Sequence, residues 1–185
     1  MRIVGGRLRG RTLAGPRSDA IRPTSDRVRE ALFNVLAHAY DDPVDGARVL
    51  DLFAGTGALA CEALSRGAAF ALLVDDGAEA RGVIRANIDA LGLAGATRVF
   101  RRDAARLGAA PPGEPFGVVF CDPPYGRGLA PRALQAAAEG GWLLPGALAV
   151  VEEAVAAPLA PPPGFAELER RTYGDTQAAF WRREG

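Results

Sequence analysis

Val118 to Gly126 reads VVFCDPPYG. An apolar, β-prone run ends in Asp122, followed by Pro123, Pro124 and Tyr125. Proline has no backbone N–H and a fixed φ, so the pair stops a strand and stiffens the turn after it. A carboxylate, a rigid carbonyl and a flat ring at one point suit a planar amine. The amine of a nucleobase is a poor nucleophile, because its lone pair is delocalised into the ring. Two acceptors, the Asp122 side chain and the Pro123 carbonyl, can turn that lone pair toward an electrophile, and positioning is what catalysis by proximity requires. Tyr125 offers a face on which a base stacks. A plain proline turn would account for Pro123 and Pro124, but not for Asp122 and Tyr125 at this spacing.

A second constellation lies upstream, VLDLFAGTGALA from Val49 to Ala60. It reads as a strand, a glycine turn and the start of a helix. Gly55 and Gly57 let backbone approach a ligand without Cβ atoms in the way. Gly55, Gly57 and Ala60 also match the dinucleotide pattern, with Asp75 at the distance of a ribose-binding carboxylate. The loop alone therefore fits a nicotinamide or an adenosyl cofactor. Asp51, just before the turn, tilts the balance. A pyrophosphate is repelled by a carboxylate there, whereas the cationic amino-acid end of S-adenosylmethionine tolerates one. Asp75 at the end of the second strand can accept from both ribose hydroxyls, with Asp76 the neighbouring alternative. Asp103 ends the third strand and can accept from an adenine amine.

These residues need a frame that gathers strand ends. Strands are expected at Arg48–Phe53, Phe70–Asp75, Thr97–Arg101, Phe116–Asp122 and Gly146–Glu152. Helices are expected at Thr56–Arg66, Ala78–Leu91 and Pro131–Glu139. The strands are nearly continuous apolar runs, as in sheets covered on both faces, and their alternation with helices predicts a parallel, doubly wound α/β sheet. Phe165 to Arg183 reads as a hairpin turning at Gly174-Asp175 that closes the sheet antiparallel. An earlier helix starts at Thr24 or Ser25, with Val28, Ala31, Leu32, Val35 and Leu36 on one face. Met1 to Ala14 reads as a small hairpin around Gly5-Gly6 and Gly10. The expected division is 1–23, a basic arm, and 24–185, the catalytic domain.

The chain has 185 residues with 22 basic and 22 acidic side chains, and every basic one is arginine. The balance is uneven along the chain. Arg2, Arg7, Arg9, Arg11, Arg17, Arg22, Arg27 and Arg29 stand among the first 29 residues against Asp19 and Asp26. A basic segment on an acidic body suggests a polyanionic partner, with Arg7, Arg9, Arg11, Arg22 and Arg27 the candidate nucleic-acid contacts. No apolar run approaches ~18 residues, so no membrane span is expected. Two cysteines, Cys61 and Cys121, and one histidine, His38, argue against a disulfide framework or a metal site. A reducing cytoplasm is the expected setting.

MRIVGGRLRGRTL, RPTSDRVREALFNVL, DLFAGTGALA, CDPPYG and the closing YGDTQAAFWRR together resemble the RsmD family, the 16S rRNA (guanine(966)-N2)-methyltransferases. The resemblance spans nearly the whole chain. CDPPYG alone marks only a class of amino-methyltransferases, and the two N-terminal motifs are more specific. It implies a Rossmann-like class I methyltransferase fold with a small N-terminal extension. It further implies S-adenosylmethionine as donor and a guanine exocyclic amine of small-subunit rRNA as acceptor. By similarity, Asp51, Phe53, Ala54, Gly55, Gly57, Asp75, Asp103 and Ala104 line the cofactor, and Asp122, Pro123, Pro124 and Tyr125 hold the base. Asp75-Asp76-Gly77 departs from the usual acidic pattern after the second strand, leaving ribose binding to Asp75. The rival readings are DNA-adenine or protein-glutamine methylation, a nicotinamide oxidoreductase, and a non-catalytic RNA-binding assembly factor.

Overall fold

The computed structural model describes residues 1–185. Seven strands form one sheet: β1 (Arg48–Leu52), β2 (Phe70–Val74), β3 (Thr97–Phe100), β4 (Phe116–Cys121), β5 (Leu143–Ala154), β6 (Phe165–Tyr173) and β7 (Thr176–Arg183). Their order is β3-β2-β1-β4-β5-β7-β6. Strands β1 to β5 pair in parallel, while β7 runs antiparallel to both β5 and β6. Chain order reverses between β1 and β4, which opens a crevice at their C-terminal ends. Both chemical motifs identified in the sequence leave the sheet there. This is the Rossmann-like architecture the alternating pattern predicts. No helix is long and apolar enough to cross a membrane.

Alternation sorts the core into two layers. Val49, Ala71, Leu73, Val118, Phe120 and Val150 face one side, under α1 (Asp26–Ala39), α2 (Ala58–Ser65) and α3 (Ala78–Ala90). Leu50, Leu72, Val74, Val119, Cys121 and Val151 face the other, under α4 (Leu129–Glu139). Trp142 and Trp181 are buried in this second layer, and both cysteines are buried. Ser25 is the α1 cap, its hydroxyl accepting from the Val28 amide. The fifth strand starts three residues earlier than expected. Its register against β4 shifts between Phe116 and Val118, and this irregularity accommodates Pro145 and Gly146 at the strand's exposed start.

The N-terminal segment has hairpin connectivity with little strand. Arg2 and Thr12 form an isolated antiparallel bridge. Ile3, Leu8 and Leu13 are buried in the same layer as α1 and α2. The Gly5-Gly6 turn lies against the end of α2, where Ser65 donates to the Gly5 carbonyl and accepts from the Leu8 amide. A Cβ on Gly6 would come 2.0 Å from the Ser65 carbonyl oxygen. Arg29, which the charge pattern counts with the basic segment, is fully buried. It pairs with buried Glu62 at 3.0 Å, and Glu62 in turn accepts from the Val4 and Gly5 amides. Removing one partner of such a pair would leave an uncompensated buried charge.

Candidate active site

Strand β1 ends at Leu52, and the chain turns at once. Phe53 takes φ 57°, a left-handed conformation uncommon for a bulky residue. Gly55 and Gly57 come next at φ 60° and 79°. The two glycines serve different neighbours. A Cβ on Gly57 would press Leu73 at 3.0 Å and Ile84 at 3.4 Å, so its bareness lets α2 pack on the sheet. Gly55 borders the cleft, and its missing Cβ would meet the Ile21 side chain at 3.3 Å and the Phe53 carbonyl oxygen at 3.9 Å.

The cleft has a volume of about 570 Å³ and gathers Phe53, Ala54, Gly55, Asp75, Asp122, Pro123, Pro124 and Tyr125. Such a volume is usual for a small-molecule site. Asp75 uses one oxygen on the Gly55 amide and the other on the Gly77 amide, both at 2.9 Å, fixing the loop while keeping lone pairs free. Asp76 lies on the same wall.

Three residues of the sequence-derived set stand elsewhere. Asp51 is buried behind the loop, and its carboxylate accepts from the Ala60 amide at 3.2 Å in the first turn of α2. It does not line the cleft, because the alternation of β1 turns it inward. Asp103 is exposed and caps a short 3-10 turn through the Ala105 amide, while Ala104 is buried beside it in the core. Neither lines the cleft.

Strand β4 delivers the second motif. Cys121 points into the core and Asp122 to the opposite side. The Pro123 carbonyl accepts no backbone hydrogen bond from the protein. The Tyr125 hydroxyl meets Thr176 Oγ1 at 2.9 Å, which steadies the ring. Asp122 has two partners near the mouth of the site. Arg22 donates to Oδ1 at 2.8 Å, and the Thr24 hydroxyl lies 3.1 Å from Oδ2. The Arg22 guanidinium also stacks over Tyr125, 3.7 Å from the ring centroid. Sequence reasoning assigns Arg22 to RNA, but no local signal connects it to a carboxylate 100 positions away.

Thr24 Oγ1 is also 3.3 Å from Glu152 Oε1. A hydroxyl has one proton, so Thr24 can donate to only one of these carboxyls. Asp122 has the guanidinium, and Glu152 has no ion pair. Glu152 therefore depends on the Thr24 hydroxyl alone for a side-chain hydrogen bond. Burial, then the nearby Asp122 charge, pushes the Glu152 carboxyl well above the ordinary range. Burial does the same to Asp51. Burial also pushes Asp122 up, against the guanidinium and hydroxyl that favour its ionised form. Burial works against the Arg22 charge, but Asp122, Tyr125 and Glu152 outweigh it and hold that group above its ordinary value. The Cys61 thiol is pushed up to about 12 by burial and is inert at neutral pH.

Residues 14 to 24 run as a strap along the cleft mouth. Asn87 of α3 accepts from the Ala14 amide at 2.7 Å and donates to the Ala14 and Thr56 carbonyls. Glu79 accepts from the Arg17 and Ser18 amides and from the Ser18 hydroxyl. Arg22 and Thr24 complete the tether at Asp122. Arg7, Arg9 and Arg27 are exposed, whereas Arg11 donates to the Ala90 carbonyl.

The chain matches, over residues 1–182, the family model described as Conserved hypothetical protein 95. It is 42% identical over 186 residues to ribosomal RNA small subunit methyltransferase D of Escherichia coli strain K12, covering 100% of this chain and 90% of that protein. The protein of the same name from Haemophilus influenzae is 35% identical, with 94% and 89% covered. Among solved structures, yhhF from Escherichia coli superposes with a TM-score of 0.83 at 36% identity, covering 100% of this chain and 98% of that one.

Proposed function

The chain belongs to the RsmD family, and from that premise we propose that it methylates the exocyclic N2 amine of a guanine in 16S rRNA, using S-adenosylmethionine. The observation that carries this reading is the meeting of two motifs in one cleft. The Gly55 turn with Asp75 forms one wall, and Asp122 to Tyr125 form another.

The residues fit the cofactor. Gly55 leaves its side of the cleft bare, the Asp75 oxygens keep acceptor capacity for ribose hydroxyls, and Phe53 and Ala54 border the same space. When bound, S-adenosylmethionine supplies a methyl group activated by its sulfonium. Asp51 acts indirectly, by anchoring α2 and the loop. On the acceptor side, Asp122 and the free Pro123 carbonyl accept from the amine, and the Tyr125 ring supports the base. The Asp122 carboxylate is also the nearest base for the proton the amine sheds as its nitrogen gains a carbon. Burial favours that uptake, because it disfavours the charged form of the carboxylate. Exposed Arg7, Arg9 and Arg27 supply positive charge for the RNA backbone, in a protein working in the cytoplasm beside ribosome assembly.

The test is methyl transfer from labelled S-adenosylmethionine to small ribosomal subunits, free 16S rRNA, duplex DNA and a release factor. Label confined to rRNA and mapped to N2 of one guanine is the expected result. Label in DNA, in the protein, or on another rRNA atom overturns the assignment.

A further inference from the structure

The clamp already holds an occupant that belongs to the protein itself. The Arg22 guanidinium is planar, stacks 3.7 Å over the Tyr125 ring and donates an N–H to Asp122 at 2.8 Å. Stacking on the tyrosine and donation to the aspartate are the same two interactions that the acceptor base would make. A guanidine is also the fragment that guanine carries at C2, with N1, N2 and N3. We propose that Arg22 is a built-in stand-in for the acceptor amine, holding the clamp in the free protein and leaving it when the base enters. This rests on the methyltransferase reading and adds a regulated occupant to the same site.

Three features favour the arrangement. Asp122 is close to buried Glu152 and Glu153 and to Asp51, so the clamp is rich in carboxyls. A cationic occupant offsets that charge while no base is present. Arg22 sits on the strap between its Glu79 tether and the Thr24 contact, and its side chain is 42% exposed. It can therefore swing to solvent without disturbing the core. Finally, a guanidinium and a base cannot share one face of Tyr125 and one carboxylate oxygen, so entry of either requires exit of the other.

The consequence is measurable. A site blocked nine-tenths of the time shows about a tenfold weaker apparent affinity. Arg22→Ala should therefore bind guanosine 5′-monophosphate about tenfold more tightly than the parent. The measurement is equilibrium dialysis with S-adenosylhomocysteine saturating. Inosine 5′-monophosphate, which can stack on Tyr125 but has no exocyclic amine for Asp122, should gain clearly less. Arg22→Gln, which keeps the chain length but loses the cation, should show the same gain. Equal affinity of parent and variants for guanosine monophosphate overturns the proposal. So does an equal gain for inosine monophosphate, which means simple widening of the cleft. Loss of S-adenosylhomocysteine affinity without a nucleotide gain overturns it too, and assigns Arg22 to the cofactor. A gain for adenosine monophosphate alone keeps Arg22 as the occupant and fails the guanine reading instead.

Discussion

At Asp122, alanine removes one acceptor from the clamp and leaves Arg22 and Thr24 without their shared partner. Methyl transfer at saturating rRNA should fall by about 10²–10⁴-fold, the range for a positioned acid–base group. Calorimetric affinity for S-adenosylhomocysteine should hold, since Asp75 and Gly55 are untouched. Asp122→Asn should lose less, because its amide oxygen still accepts. Parent-like rates in both variants would remove Asp122 from the mechanism. Glu152 gives a prediction about pH. Its folded-state carboxyl is raised, by burial first and the Asp122 charge second. The folded protein therefore binds that proton more tightly than the unfolded chain. The stabilising contribution is complete below the ordinary carboxylate range and is lost as pH climbs through the raised value. Glutamine keeps an oxygen for Thr24 and brings no charge to desolvate. Urea unfolding of Glu152→Gln and parent should agree near pH 4 and diverge by pH 8. The variant should then be ahead by roughly 1–3 kcal/mol, the cost of a buried group left unsatisfied. A gap that is constant with pH would mean Glu152 titrates normally.

The two glycine turns of the N-terminal segment separate local strain from packing. Gly6 and Gly10 both have positive φ, 77° and 86°. Nothing lies within 4 Å of a Cβ on Gly10, whereas one on Gly6 would strike the α2 backbone. Gly10→Ala should cost only the left-handed penalty, about 1–2 kcal/mol. Gly6→Ala should cost clearly more, because the whole turn must lift from Ser65. Comparable losses on chemical denaturation would mean the docking on α2 carries little energy. This close approach is not legible in the sequence, where Gly5-Gly6 marks only a turn. Ile3, Leu8 and Leu13 follow neither a helical nor a strand period, so they give no core signal. The strands of the sheet are legible because doubly covered strands are written as unbroken apolar runs. The hairpin at Gly174-Asp175 is legible from its turn residues. At the site, Asp122 and Tyr125 can be read because one short segment holds them together. Arg22, Thr24 and Glu152 cannot, since only tertiary folding brings them to Asp122. Asp51 misleads because a carboxylate before a glycine loop looks outward until strand alternation turns it in.

On the scale of the molecule, the basic segment is an integral part of the body. Its apolar side chains complete the core, its glycines seat on α2, and its strap borders the cleft. Deleting Met1 to Gly15 would strip buried Ile3, Leu8 and Leu13 and take the Val4 and Gly5 amides from buried Glu62, so it cannot report on RNA alone. Arg7→Gln with Arg9→Gln is the cleaner probe, as both side chains are exposed. If both meet phosphates, the log–log salt slope of rRNA binding should shrink by about 0.7–0.9 for each, with thermal stability unchanged. An unaltered slope would place the RNA elsewhere. The long tethers of the strap also set an order of events during synthesis. Arg22 and Thr24 are among the first residues to be made, yet their partners lie 100 and 128 positions later, at Asp122 and Glu152. Pairings so distant in sequence close late, after the loop entropy between them has been overcome. A ribosome must finish β5 before the end of the strap can meet both Asp122 and Glu152, so this end closes long after the first residues have found their partners on α2 and α3.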